Sequence, residues 1–342
     1  MDSRSFHAGA LVIDSHNDTI VAHLRRGDVG MNGVPRERPR FPEHGIVDFI
    51  SGRPAPGTAE PVQIDFPLMK AGGIDAAFFS VDVTTAHGAH LAYAMDAHGF
   101  LFEEIAAFGS PVTVVKRADD IERAKREGVP AIILAVENAN CTEASLHIVR
   151  SLYELGVRSI GLTHHTSSVA ADGCYEAREG AGLTRFGVTL VREMNRLGML
   201  VDLAHVSPAG FYHALEVSTR PVMFTHGNTA AICDHPRNLT DDQLRALARR
   251  RGVIGMSFVP SFVSREAPDL GKLLDHIDHA VKVGGVDCVG IGSDFDGGGT
   301  LLRDAREMPE ITRGLFERGY GEAEVRKILG ENTLRVIRES IG

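Results

Sequence analysis

The 342-residue chain is expected to be an α/β protein folded as a (β/α)8 TIM barrel. Three observations carry this. Eight short Val/Ile/Leu/Ala-rich runs alternate with amphipathic stretches, as they do when helices cover a parallel sheet and both strand faces are buried. Eight such β/α units in one chain close most economically into a barrel. Several runs end in a side chain able to hold a metal ion, and the chemistry of a barrel belongs at the C-terminal ends of its strands. A doubly wound open sheet is the runner-up. It lacks support, because no Gly-x-Gly-x-x-Gly follows the first run, and Gly297, Gly298 and Gly299 have neither the helix nor the spacing of a phosphate loop.

The first run, residues 10–15, begins Ala10-Leu11-Val12-Ile13 and leads to His16 and Asp18. Pro and Gly then concentrate between about 27 and 67, which reads as an irregular insertion within a single domain spanning 1–342. The second run covers 74–82, and Val112 to Val115 reads as a peripheral extra strand. Ala131-Ile132-Ile133-Leu134 opens the third run, which ends before Glu137; the fourth, 158–163, ends before His164 and His165. Runs over 199–204 and 221–225 are followed by His205 and His226.

Thr240 before Asp241 and Asp242 suits a helix N-terminus, and Leu244, Leu247 and Ala248 repeat on one face until Gly252 stops the turn. The seventh run is 253–258. Leu273, Ile277, Ala280 and Val281 form the next helical stripe, ahead of Gly284 and Gly285, and the last run, 288–293, leads to Asp294.

Composition narrows the class of partner. With 43% hydrophobic residues the chain can bury one large core. A net charge of -9 without any Lys/Arg-rich run argues against nucleic acid. No segment approaches ~20 uninterrupted apolar residues and no signal-like start is seen, so a soluble, cytoplasmic protein without a membrane partner is expected. Cys141, Cys174, Cys233 and Cys288 lie far apart, none in a Cys-x-x-Cys pair, which suits reduced thiols better than disulfides or a thiolate zinc site.

Burying a carboxylate or imidazole costs several kcal/mol unless it is paired, so several strands ending in such groups point to a shared cation. His16 and Asp18, two apart, would share a strand face and grip one ion together. His205 and His226, on successive strands, look like the imidazoles of a second. Glu137 can bridge through its two oxygens. Two ions about 3.5–4 Å apart can hold and deprotonate a bridging water near neutral pH, and that water would be the nucleophile.

Asp294 is placed to accept the water's proton and pass it to a leaving nitrogen, with Asp296 as the competing candidate. One of His164 and His165 could donate to the oxyanion of a tetrahedral intermediate. Arg237, in Asp234-His235-Pro236-Arg237-Asn238, suits a substrate with a free carboxylate, although pairing with Asp241 or Asp242 carries nearly equal weight from spacing alone. His276 and His279, beside Asp275 and Asp278, read as a solvated helix face.

The pattern Ile13-Asp14-Ser15-His16-Asn17-Asp18, Val136-Glu137-Asn138, Leu162-Thr163-His164, Asn195-Arg196-Leu197-Gly198 running into Asp202 to Ser207, Thr225-His226, Pro236-Arg237-Asn238-Leu239 and Gly292 to Gly297 resembles the membrane (renal) dipeptidase family of the amidohydrolase superfamily. The likeness covers nearly the whole chain in matching order. It implies a TIM barrel of the metal-dependent hydrolase type with two zinc ions, His16, Asp18 and Glu137 on one and Glu137, His205 and His226 on the other. It further implies His164 at the scissile carbonyl, Arg237 on the C-terminal carboxylate and Asp294 as the proton shuttle.

The activity implied is hydrolysis of dipeptides, with a D-residue tolerated at the C-terminal position, and a homodimer is a family-level expectation. The alternative is a binuclear amidohydrolase acting on N-acyl amino acids, lactones or other amides, since barrel loops vary independently of the strands. A barrel that stores or senses metal without turnover is a third reading.

Overall fold

Successive side chains of a strand point to opposite faces, so the chain's apolar runs serve two cores at once. The computed structural model describes residues 2–35, 61–86, 88–176 and 181–342. In strand β4, Ala131–Glu137, the residues Ile132, Leu134 and Val136 pack outward with the surrounding helices, while Ala131, Ile133 and Ala135 face a second, inner cluster. Ile13, Phe78, Leu200, Met223 and Val253 join that inner cluster from five other strands, and Val336 and Ile337 of helix Asn332–Ser340 add to it.

The remaining strands are β1 (Ile13–Asn17), β2 (Ala76–Asp82), β3 (Thr113–Val114), β5 (Val157–Gly161), β6 (Leu200–Asp202), β7 (Met223–Gly227), β8 (Val253–Met256) and β9 (Val289–Ile291). All pair in parallel, in the order β2-β1-β9-β8-β7-β6-β5-β4, and a further β2–β4 pairing closes the ring. This is the eight-stranded barrel expected from the sequence, with a strand in each of the eight runs. β3 stands outside the ring. It pairs only with Ala131 and Ile132 at the start of β4, before β5 takes up that edge from Leu134 onward, so Val112 to Val115 is peripheral as expected.

Helices fill the connections. Thr240 caps helix Asp241–Arg249 by accepting from Gln243 N, and Gln243 reaches back to the cap. That helix stops earlier than Gly252: Arg251 takes a left-handed φ of 58°, and Gly252 is needed for space, since a Cβ there would lie 2.7 Å from the Val222 carbonyl. Helix Leu270–Gly284 buries Leu273, Ile277 and Ala280 as expected. It also buries His276, which is therefore not part of the solvated face expected of it. His276 Nδ1 takes up the Thr229 backbone N–H at 3.1 Å and Nε2 lies 2.9 Å from the Val263 carbonyl, so this ring ties the helix to the loop after β7 and to helix Pro260–Val263; His279 pairs with Asp241.

Of the insertion expected over 27–67, residues 36–60 lie outside the described part, and Phe66 and Pro67 already begin helix Phe66–Gly72, capped by Asp65. The four cysteines are free. Among the described residues, no helix is long and apolar enough to cross a membrane.

Candidate metal centre and substrate cavity

The C-terminal mouth of the barrel holds a cavity of about 410 Å³. Glu137, the last residue of β4, shares its inward face with Ala131, Ile133 and Ala135, which is why an acid there is buried at the centre of the mouth. The Glu137 Oε1 atom lies 2.8 Å from His205 Nε2 and 3.6 Å from His226 Nε2, and its Oε2 atom lies 3.8 Å from His16 Nε2. His16 Nε2 in turn is 3.5 Å from Asp18 Oδ2. His16, His205 and His226 are therefore gathered around Glu137, and Asp18 joins them beside His16.

They arrive by different routes. His16 belongs to β1, but that strand ends at Asn17, and Asp18 is the N-cap residue of helix Thr19–Arg26. The shared strand face expected of the pair does not exist. An irregular register between Asp14 and Asn17 and the turn into the helix bring the two together instead. His226 is inside β7, whereas His205 lies three residues past β6 at a φ of 68°. Asn138 (φ 82°) and Asp294 (φ 61°) also adopt this left-handed conformation, which is costly for residues with a Cβ and concentrates at sites where side-chain direction matters.

Asp294 follows β9, held by its N–H to the His16 carbonyl at 3.0 Å. Buried Asp14 of β1 takes up the N–H (2.7 Å) and hydroxyl (2.8 Å) of Ser293, fixing the same turn. The Asp294 Oδ2 atom stands 4.0 Å from His226 Nε2. A Cβ on Gly297 would lie 1.9 Å from Asp18 Oδ2 and 2.6 Å from Asp294 Oδ1, so only glycine lets the two acids approach one another. Asp296, the competing acid, is tied elsewhere: it exchanges hydrogen bonds with the backbone N–H and side-chain carbonyl of Gln63.

His164 stacks on His205 with ring centroids 4.3 Å apart; His165 stacks on Tyr175 at 4.4 Å. Both histidines line the cavity. Arg237 does not. It lines an adjoining cavity of about 360 Å³ with Cys174 and Phe224, fully buried, donating Nη2 to the His226 carbonyl at 3.0 Å. Its Nε and Nη1 are buried without a hydrogen-bond partner, and no pairing with Asp241 or Asp242 forms. Arg25, by contrast, does line the mouth.

Burial dominates the electrostatics. It drives Glu137 well above the ordinary carboxylate range and Asp294 up to about 6, in both cases against the pull of His16. Burial alone would lower His16, but Glu137, Asp18 and Asp294 outweigh it and lift that imidazole to about 10. His205 and His226 are held well below their usual value by burial, reinforced by Arg237, and so keep neutral rings with a lone pair to give.

The donor set fits cations. Glu137 Oε1, Asp18 Oδ1 and His16 Nε2 are buried with no hydrogen-bond partner, and His205 Nε2 and His226 Nε2 face each other at 2.8 Å. Glu137, His205 and His226 form one compact group of possible ligands, and His16, Asp18 and Asp294 form another. Mixed imidazole and carboxylate donors without thiolate are usual for catalytic metal sites.

Three further residues were not singled out from the sequence. Asp82 ends β2 beside Glu137 and lines the cavity, as does Tyr175 from an irregular loop. Asp202 supports His226 from below through Thr225. Asp82 and Asp202 both sit in or at the end of apolar runs, the same signal that marked Glu137; nothing local marks Tyr175.

Known proteins share this architecture. A metallopeptidase from Rhodobacter sphaeroides, crystallised with a phosphinate mimic of the dipeptide L-Ala-D-Ala, is 27% identical with a TM-score of 0.81, over 97% of this chain and 99% of that one. The family M19 metallopeptidase dipeptidase AC is 28% identical with a TM-score of 0.80 and the same coverage. Over 237 residues the chain is 35% identical to dipeptidase verJ of Clonostachys rogersoniana, an alignment covering 68% of this chain and 61% of that protein. A sequence model of the membrane dipeptidase family (peptidase family M19) matches residues 2–341, and the chain belongs to that family.

Proposed function

We propose that the protein is a metallo-dipeptidase, a single domain over 1–342 that hydrolyses the peptide bond of dipeptides with two zinc ions. The observation that carries this is the convergence of His16, Asp18, His205 and His226 on one buried glutamate, Glu137, in the mouth of a barrel. His16, Asp18 and Glu137 would hold one ion, and Glu137, His205 and His226 the other. Bound cations supply an acidified water as nucleophile and neutralise charge developing on the carbonyl oxygen.

The chain's own groups do the rest. Asp294, buried and near His226 and Asp18, takes the proton of the attacking water and returns it to the leaving nitrogen. His164, stacked on His205 at the cavity wall, donates to the oxygen of the tetrahedral intermediate. Arg237 has two unpaired guanidinium donors, a fork suited to the C-terminal carboxylate. A D-residue at the C-terminal position fits this reading, since the Rhodobacter sphaeroides relative binds a mimic of L-Ala-D-Ala.

The test is steady-state hydrolysis of L,L and L,D dipeptides by zinc-loaded protein. Activity is expected on the dipeptides, with kcat falling about 10²–10⁴-fold in Asp294→Asn while bound zinc stays unchanged. Arg237→Ala should remove the preference for a free C-terminus and Arg25→Ala should not. Hydrolysis of N-acyl amino acids or lactones with no dipeptide turned over would overturn the proposal.

A further inference from the structure

Asp82 is an acid at the mouth that this reaction leaves without a task. It ends β2 on the face shared with Ala76 and Phe78, which point into the barrel, and pairs in register with Glu137 of β4. Asp82 Oδ1 accepts the Thr84 N–H at 2.8 Å, which sets the carboxylate's rotation; among the described residues nothing donates a hydrogen bond to Oδ2. One of its oxygens lies within 4.8 Å of both a Glu137 oxygen and a His164 ring nitrogen. A half-buried carboxylate lining a cavity, with one oxygen that takes no hydrogen bond from the described residues, suits a cationic group.

Position around the ring says which group. From β2 the ring runs through β4, β5 and β6 to β7, halfway round, so Asp82 and the loop that carries Arg237 stand on opposite walls. Arg237, in the cavity that adjoins the mouth on that side, offers buried donors without a partner among the described residues. A dipeptide is a zwitterion roughly 7 Å long, with an ammonium at one end and a carboxylate at the other. With its carbonyl oxygen against His164, its α-nitrogen is separated from the scissile carbon by a single carbon. That places the ammonium within reach of Asp82.

We infer that Asp82 anchors the free α-ammonium of the substrate and makes the enzyme selective for unblocked dipeptides over N-acylated ones. The inference rests on the dipeptidase reading and names the specificity element at its N-terminal side. Charge-assisted hydrogen bonds of this kind are the strong ones, and the pair is partly shielded from water.

Asp82→Asn tests it, because the amide keeps the shape and still accepts from Thr84. The zinc-loaded enzyme and its variant are compared on L-Ala-L-Ala and its N-acetyl derivative, and calorimetry compares a phosphinate dipeptide analogue with its des-amino counterpart. The wild type should favour the free amine in both assays. In the variant, kcat/KM for the free dipeptide should fall about 10- to 100-fold, the acetylated substrate should change little, and bound zinc should stay constant. If Asn is not tolerated, Asp82→Ser gives the same comparison.

An unchanged preference would overturn the inference, as would an equal loss on both substrates accompanied by loss of metal, which would make Asp82 a ligand. If the wild type cleaves no dipeptide, the proposed function fails on its own. The calorimetric difference between the amino and des-amino ligands then still decides for or against Asp82.

Discussion

A histidine serves a cation only if its lone pair is aimed and its tautomer fixed, and at His226 the chain does both. Its Nδ1 lies 3.1 Å from Thr225 Oγ1, whose hydroxyl donates to Asp202 Oδ2 at 2.6 Å. Asp202 Oδ1 is itself held by the N–H groups of Ala204 and Thr225. The relay places the proton on Nδ1 and leaves Nε2 facing Glu137. Asp202→Asn is therefore expected to weaken zinc binding about 10–100-fold in a chelator competition, with little change in the far-UV circular dichroism.

Much of this site was legible residue by residue, because an acid or imidazole ending an apolar run has few bland explanations; Glu137 and His226 are such cases. Asp82 meets the same criterion, but its place beside Glu137 exists only once β2 and β4 pair. The route by which Asp18 reaches His16 depends on an irregular strand end that periodicity does not encode.

At the scale of elements, the strands obeyed their apolar pattern and the irregular ends did not. β9 spans only Val289–Ile291, and the residues past it, up to Asp294, owe their path to Asp14 and to close packing. The Thr225 carbonyl accepts from the Ser15 hydroxyl at 2.5 Å in the barrel centre, with Gly255 and Gly292 closing on it. A Cβ at Gly292 would stand 1.9 Å from that oxygen, and one at Gly255 2.1 Å. Gly292→Ala should cost roughly 1–3 kcal/mol in urea unfolding, and the double change with Gly255→Ala should be non-additive because both press on one atom.

A helix supplies a pH prediction. His98 of helix His90–Ala107 is fully buried, donates Nδ1–H to the Ala94 carbonyl at 2.8 Å, and is lowered by burial from 6.5 to about 4. Its stabilising contribution is intact above about 6.5 and is lost as pH falls toward 4, because the unfolded chain takes up the proton first. Relative to His98→Gln, the wild type should lose about 2 kcal/mol between pH 7.5 and pH 5. A pH-independent difference between the two would refute this.

For the whole molecule, a closed barrel explains why residues from 16 to 294 in the sequence can meet at one point: every strand of the ring delivers its last residues to the same mouth. Closure was readable from the count of runs. The depth of Arg237 was not, because the packing of Phe224 of β7 and Phe262 of helix Pro260–Val263 against its guanidinium arises only once the barrel and its following segments are assembled.

A site that brings buried carboxylates together should be stabilised by bound cations. At free zinc about a hundredfold above its dissociation constant, binding should add about 2.7 kcal/mol and raise Tm by several degrees, reversibly on chelation. The most direct measurement is anomalous scattering at the zinc edge from crystals of the zinc-loaded protein. Two peaks about 3.5–4 Å apart, one on each side of the Glu137 carboxylate, are the result expected. A single peak, or peaks away from Glu137, would contradict the account.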